Sequence, residues 1–216
     1  MPRHYHSVEE LPRTLPVFPL TGVLLLPRGQ LPLNIFEPRY LAMVDTALAG
    51  PRLIGMIQPT EHESTRVKPP LSGVGCAGRI TAFGETDDGR YLITLTGICR
   101  FRVANELDVM TPYRQVQADY AEYADDLKSV ERQIPRERVT AALKHYVKRR
   151  QLKADWSSVT SAPAETLINA LAMLCPFEPA EKQALLEALS FDQRVETLIA
   201  LLEMSGAETP DTKSLN

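Results

Sequence analysis

Ile80-Thr81-Ala82-Phe83, then Asp87-Asp88-Gly89, then Tyr91-Leu92-Ile93-Thr94-Leu95 reads as two β-rich runs joined by a turn. Branched and aromatic side chains suit a pleated strand, and Asp-Gly supplies the positive φ that a tight hairpin needs. Side chains alternate along a strand, so Tyr91, Ile93 and Leu95 are expected on one face. Gly97 then interrupts, and the alternation resumes in Cys99-Arg100-Phe101-Arg102-Val103. Such an interruption predicts a bulge or sharp bend of the kind that curls a sheet into a barrel.

Working outward, residues 16–20, 31–36, 53–57 and 79–83 are short apolar or alternating runs closed by Pro or Gly, and residues 113–123 supply a last strand. One helix is inserted among them. Leu41, Val44 and Leu48 fall at helical spacing, Pro38 suits a first turn and Gly50 lies just past the end. Beyond Glu122 the texture changes through the acidic stretch Tyr123-Ala124-Asp125-Asp126-Leu127-Lys128, and the remaining periods are helical. Pro135 opens a helix bearing Val139, Leu143, Tyr146 and Val147, and Pro163 opens one bearing Leu167, Ile168, Leu171 and Leu174. Pro179 opens a third with Leu185, Leu186 and Leu189. Ser190-Phe191-Asp192-Gln193 fits a capping box ahead of Val195, Leu198, Ile199 and Leu202, with Gly206 as the stop. The expected class is α+β: a β-rich domain over residues 1–124, a helical subdomain over 125–206 and a mobile tail over 207–216.

With 44% hydrophobic and 24% charged residues among 216, the composition is that of an ordinary globular chain. A net charge of −3 excludes a generally basic, nucleic-acid-coating surface. Cys76, Cys99 and Cys175 are widely spaced without a C-x-x-C pair, which argues against a disulfide framework or a zinc site and for buried thiols. The first residues carry no apolar targeting segment and the longest aliphatic run, residues 23–26, is too short to span a bilayer. A reducing, cytoplasmic location is expected.

Gly73-Val74-Gly75-Cys76-Ala77-Gly78 satisfies G-x-G-x-x-G, but it leads into a strand where a dinucleotide site needs a helix, so it is expected to be a structural turn. Gly55, Gly75, Gly78 and Gly97 all suit backbone turns. No Gly-Lys pair exists for a phosphate loop, and no G-x-S-x-G elbow is present. His4, His6, His62 and His145 gather no partners in the sequence, so no metal, cofactor or catalysis is expected. The one basic cluster, Lys144, Lys148, Arg149, Arg150 and Lys153 with Tyr146 and Trp156 nearby, fits a helix end matched to its dipole. RNA binding by that cluster is the alternative.

Phe18-Pro19-Leu20, Val23-Leu24-Leu25-Leu26-Pro27 and Leu31-Pro32-Leu33-Asn34-Ile35-Phe36-Glu37-Pro38-Arg39-Tyr40 with Met43 resemble the opening of the Lon N-terminal domain family. Leu53-Ile54-Gly55 resembles its third strand, and the 73–80 and 88–103 blocks resemble its later hairpin. The resemblance implies a PUA-like β pseudobarrel followed by a helical subdomain. It also implies a non-catalytic module for unfolded or damaged polypeptides, expected to stand alone, without the ATPase and Ser-Lys peptidase modules, and to act as client binder or adaptor beside a protease or chaperone machine. Glu37 and Arg39 flank the helix start and are expected to pair locally. Alternation along residues 23–26 sends Val23 and Leu25 inward only if Leu24 and Leu26 face out. Leu24 and Leu26 are therefore the candidates for an apolar groove at the domain junction, or for packing under the helical subdomain.

Overall fold

The computed structural model describes residues 5–61, 68–128 and 130–204. Its sheet is organised by the hairpin of β4 (Leu71–Glu85) and β5 (Tyr91–Leu107), which pair antiparallel from Val74 opposite Arg102 to Glu85 opposite Tyr91. Thr86 N–H donates to the Arg90 carbonyl (2.9 Å), Gly89 N–H donates back to the Thr86 carbonyl (2.9 Å), and Gly89 takes φ +76°. Ala77 faces Cys99 while its neighbour Gly78 faces Gly97, so Ile98 is the extra residue of a bulge. A side chain at Gly97 would collide with the Leu26 carbonyl oxygen. The close approach lets the 26–29 turn bond across it: Arg28 N–H reaches the Gly97 carbonyl (2.8 Å) and Gly97 N–H the Gly29 carbonyl (2.9 Å).

Bent at that bulge, β5 serves two neighbours. Its first half pairs with β2 (Gln30–Ile35) and its second with β6 (Arg114–Asp119). With β1 (Thr14–Pro19) and β3 (Leu53–Pro59) the order is β2-β5-β4-β3-β1-β6, and the β5–β6 pairing closes the ring. Only β1 and β3 run parallel, with α1 (Pro38–Ala49) in the connection between β2 and β3. Pro32 is tolerated because β2 lies at the end of that order, where a missing N–H costs no ladder bond on the open side.

The glycine-rich motif is not a turn. All of Gly73 to Gly78 lies inside β4, and Gly55 and Gly97 likewise sit within strands. Gly75 is needed because the Phe101 ring lies 2.6 Å from where its Cβ would be, and Gly78 because Leu25 lies equally close. Gly75 and Gly78 make room for core side chains, whereas a side chain at Gly73 would meet open space. β6 is shorter than the sequence predicts because Tyr120 turns the chain into a 3-10 helix, Ala121–Leu127.

Four predicted helices are present: α2 (Arg136–Arg149), α4 (Ala164–Leu174), α5 (Pro179–Glu187) and α6 (Phe191–Met204). The Ser190 hydroxyl accepts from Gln193 N–H (3.1 Å), while the Gln193 amide oxygen accepts from Leu189 N–H (2.9 Å). α3 (Trp156–Ser161) is an addition, started by Asp155, whose carboxylate accepts from Ser157 N–H (3.0 Å) and Ser158 N–H (3.4 Å). The expected boundary at 124/125 falls inside the 3-10 helix, where Tyr123 and Asp126 are buried. Buried residues of both halves form one contiguous cluster, from Tyr5 to Leu202. Cys76, Cys99 and Cys175 are free and buried in it; burial pushes all three thiols up, Cys175 to about 11. Among the described residues, no helix is long and apolar enough to cross a membrane.

Candidate polypeptide-binding cleft

Leu24 and Leu26 are not at the surface: they are 2% and 0% exposed, and Leu25 between them is also buried. The alternation used to place them requires an extended strand, whereas residues 23–26 form an irregular link between β1 and β2, so all three leucines turn inward. They are core. Glu37 and Arg39 do pair, at 2.7 Å. Lys144, Lys148, Arg149, Arg150 and Lys153 are exposed, but three of them have local contacts, Arg150 lying 5.9 Å from the Tyr146 ring. Arg149 donates to the Leu202 and Glu203 carbonyls at the end of α6, and Lys144 lies 5.9 Å from the Trp156 ring. His6 and His145 are exposed, and His4, His62 and residues 207–216 lie outside the described residues. Among the described residues, no group of three His, Cys, Asp or Glu side chains is placed to hold a metal ion.

One residue beyond Leu26 the chain reaches an open cleft of about 890 Å³, within the size range of ligand sites. Its walls are residues 27–30, residues 130–134 with Arg136, the start of α4 and the α4 face carrying Ala170, Met173 and Leu174. Leu167, Ile168 and Ala172 anchor α4 in the core. Leu174, expected on the same buried stripe, overhangs the cleft at the helix end, 81% exposed, and Val130 on the other rim is 51% exposed. In the sequence Leu174 is indistinguishable from the other apolar residues of that stripe. An exposed leucine at the lip of a concave site offers apolar area whose burial against another surface would be favourable.

The cleft is held open by polar ties. The Asn169 amide donates to the Pro27 carbonyl (3.0 Å), fixing α4 to the turn. Gly29 leaves space for the Met173 thioether sulfur, which lies 2.5 Å from where a Cβ would project. Arg28, in the left-handed region at φ +65°, donates to the Asp126 carbonyl (2.8 Å) and pairs with Glu165 (2.5 Å). A non-glycine residue with positive φ carries a strain that its surroundings must offset, and this side chain joins three elements. Behind it, Arg100 meets Asp126 through two side-chain bonds of 2.9 Å and also donates to the Leu186 and Ala188 carbonyls of the helical half. On the same half, Lys182 donates to the Gly22 carbonyl (2.8 Å), and burial lowers its pKa. A second, shallower apolar area lies on the outer sheet, where Phe36, Phe83 and Leu92 are exposed.

A closed five-stranded ring extended by β2 at one end, joined to a helical subdomain with a cleft of mixed polar and apolar lining at the junction, defines a domain of α+β class. Residues 14–204 match the family model described as the ATP-dependent protease La (LON) substrate-binding domain, and the chain belongs to that family. Among curated relatives, Lon protease of Desulfosudis oleivorans is 29% identical over 124 residues, covering 56% of this chain and 15% of that protein. Lon protease of Dictyoglomus thermophilum is 23% identical over 90% of this chain and 25% of its own length. The chain thus spans a quarter or less of these relatives. Among solved structures, the Lon N-terminal domain protein from Xanthomonas campestris superposes with a TM-score of 0.63 at 22% identity, covering 87% of this chain and 97% of that one. The N-terminal domain of Lon protease from the Mycobacterium avium complex gives 0.61 at 17%, covering 88% and 98%. These likenesses establish the shared fold.

Proposed function

We propose that the chain is a non-catalytic polypeptide-binding module that holds an extended apolar segment of an unfolded or damaged protein in the junction cleft. Its role is client binding or adaptation within cytoplasmic protein quality control, beside a protease or chaperone machine. The observation that carries this reading is the exposure of Leu174 and Val130, two large apolar side chains that both line one concave space of about 890 Å³. Membership in a substrate-binding domain family supports it, and the site depends on apolar contact in place of Leu24 and Leu26.

The test is Leu174→Ser and Val130→Ser, singly and together, with binding of a fluorescent unfolded model protein and thermal melting measured in parallel. Because both side chains are exposed, stability is expected to change by no more than about 0.5 kcal/mol. Burying a leucine against a ligand contributes roughly 1.5 to 3 kcal/mol, so affinity is expected to fall about tenfold or more. Undiminished binding in the double variant overturns the reading. The preference should also persist at high salt, since apolar burial is not screened as phosphate contacts are. A steep loss with salt, removed by changing Lys148 and Lys153, would instead favour RNA binding.

A further inference from the structure

The cleft wall carries three guanidinium groups that are not equivalent. Arg28 is neutralised in place by Glu165. Arg136 donates to the Val159, Thr160 and Ala162 carbonyls, which satisfies its N–H groups with neutral acceptors. Arg132 forms neither a salt bridge nor a hydrogen bond among the described residues, and its charge is felt at the exposed carboxylate of Asp125, whose pKa it helps to lower after the closer Lys128. Its guanidinium lies 5.1 Å from the Phe191 ring, and its Nε is buried with no acceptor among the described residues. That Nε is closed off from a ligand, but the two Nη groups of this half-buried guanidinium are not enclosed in the same way and form no hydrogen bond among the described residues, so an incoming acceptor is rewarded there. The wall's other carboxylate, Glu131, is exposed and forms no ion pair among the described residues. The cleft is thus cationic in excess within a chain of net charge −3.

Resting on the polypeptide reading above, we propose that the bound segment presents a carboxylate to Arg132 beside its apolar residues, so that the module selects apolar segments with an adjacent acidic group. The Phe191 ring lies against the guanidinium at cation–π distance, and planar paired donors match a carboxylate in geometry as well as charge. The carboxylate belongs either to an acidic side chain or to a chain terminus; the chemistry is the same.

Four labelled peptides of one apolar sequence test this by fluorescence anisotropy. Three have amidated ends and carry Glu, Gln or Lys at the centre; the fourth carries Gln with a free terminal carboxylate. The expected result is about tenfold tighter binding of the Glu peptide, the free-acid peptide or both over the amidated Gln peptide, equivalent to about 1.4 kcal/mol. The Lys peptide is expected to bind weakest. Arg132→Gln is expected to level the series, and Arg132→Lys to retain part of the preference. Equal affinity for all four peptides, or an unaltered preference in a folded Arg132→Gln variant, overturns the carboxylate subsite and leaves apolar binding intact. Failure of every peptide to bind the native chain, with Leu174→Ser also without effect on the unfolded model protein, removes both readings.

Discussion

Removing the carboxylate of Asp126 should be the most damaging single change outside the apolar core. The side chain is about 90% buried and accepts three bonds from Arg100: from its backbone N–H (3.0 Å), Nε (2.9 Å) and Nη2 (2.9 Å). In Asp126→Ala the Arg100 charge stays buried without a counter-ion, a loss of about 3–5 kcal/mol. The upper end is favoured because a second guanidinium, Arg194, is buried in the same region. Its pKa is pushed down to about 10, first by burial and then by the charge of Arg100. For a chain of this size such a loss lowers the melting midpoint by roughly 6–20 °C. Asp126→Asn keeps an acceptor but not the charge, and should lose about half as much. Arg100→Met with Asp126→Leu leaves no buried charge and should recover most of the stability, so the double-mutant cycle isolates a large coupling. Urea unfolding monitored by circular dichroism measures the parent, Asp126→Ala, Asp126→Asn, the single variants Arg100→Met and Asp126→Leu, and their double variant. A loss below about 1 kcal/mol in Asp126→Ala, with coupling near zero, would refute the reasoning. The same experiment reports on the cleft, because the Asp126 carbonyl holds Arg28 at its rim.

Gly97→Ala drives a methyl group against the Leu26 carbonyl and should destabilise by roughly 2–3 kcal/mol, as overpacking does; a melting midpoint within about 2 °C of the parent would show that the turn moves freely. The Asp155 carboxyl is held down to about 2, against an ordinary 3.8, by the Ser157 and Ser158 hydroxyls and amides at the start of α3. Its folded pKa is depressed, so the cap is fully effective above 3.8 and is lost as the pH falls through 2, and an NMR titration midpoint close to 3.8 would show that the cap does not form. Leu26→Ser, at a fully buried position, should lose several kcal/mol through a cavity and an unpartnered hydroxyl. A small effect on melting, combined with lost binding of an unfolded protein, would return that leucine to the site.

The β4–β5 hairpin, its bulge and most helix starts were legible because each rests on local chemistry. Asp88-Gly89 makes a turn and Gly97 breaks an alternation, while Pro38, Pro163 and Pro179 mark helix starts where a missing N–H costs nothing. α3 was legible in principle from Asp155 before two serines, but six residues carry too little periodicity to announce a helix. What the sequence did not contain was the path of residues 23–29 over the barrel. Whether Leu24 and Leu26 face water depends on Gly97, seventy residues away, which lets the Leu26 carbonyl come close and draws the following turn onto β5. The same is true of the site. Leu174 reads as one more core leucine until α4 is seen to end beyond its support, and Arg132 reads as a solvated charge until Phe191 covers it. Local patterns determine which segments are strands and helices; exposure and partnership are set by contacts distant in sequence, and only the tertiary structure decides those.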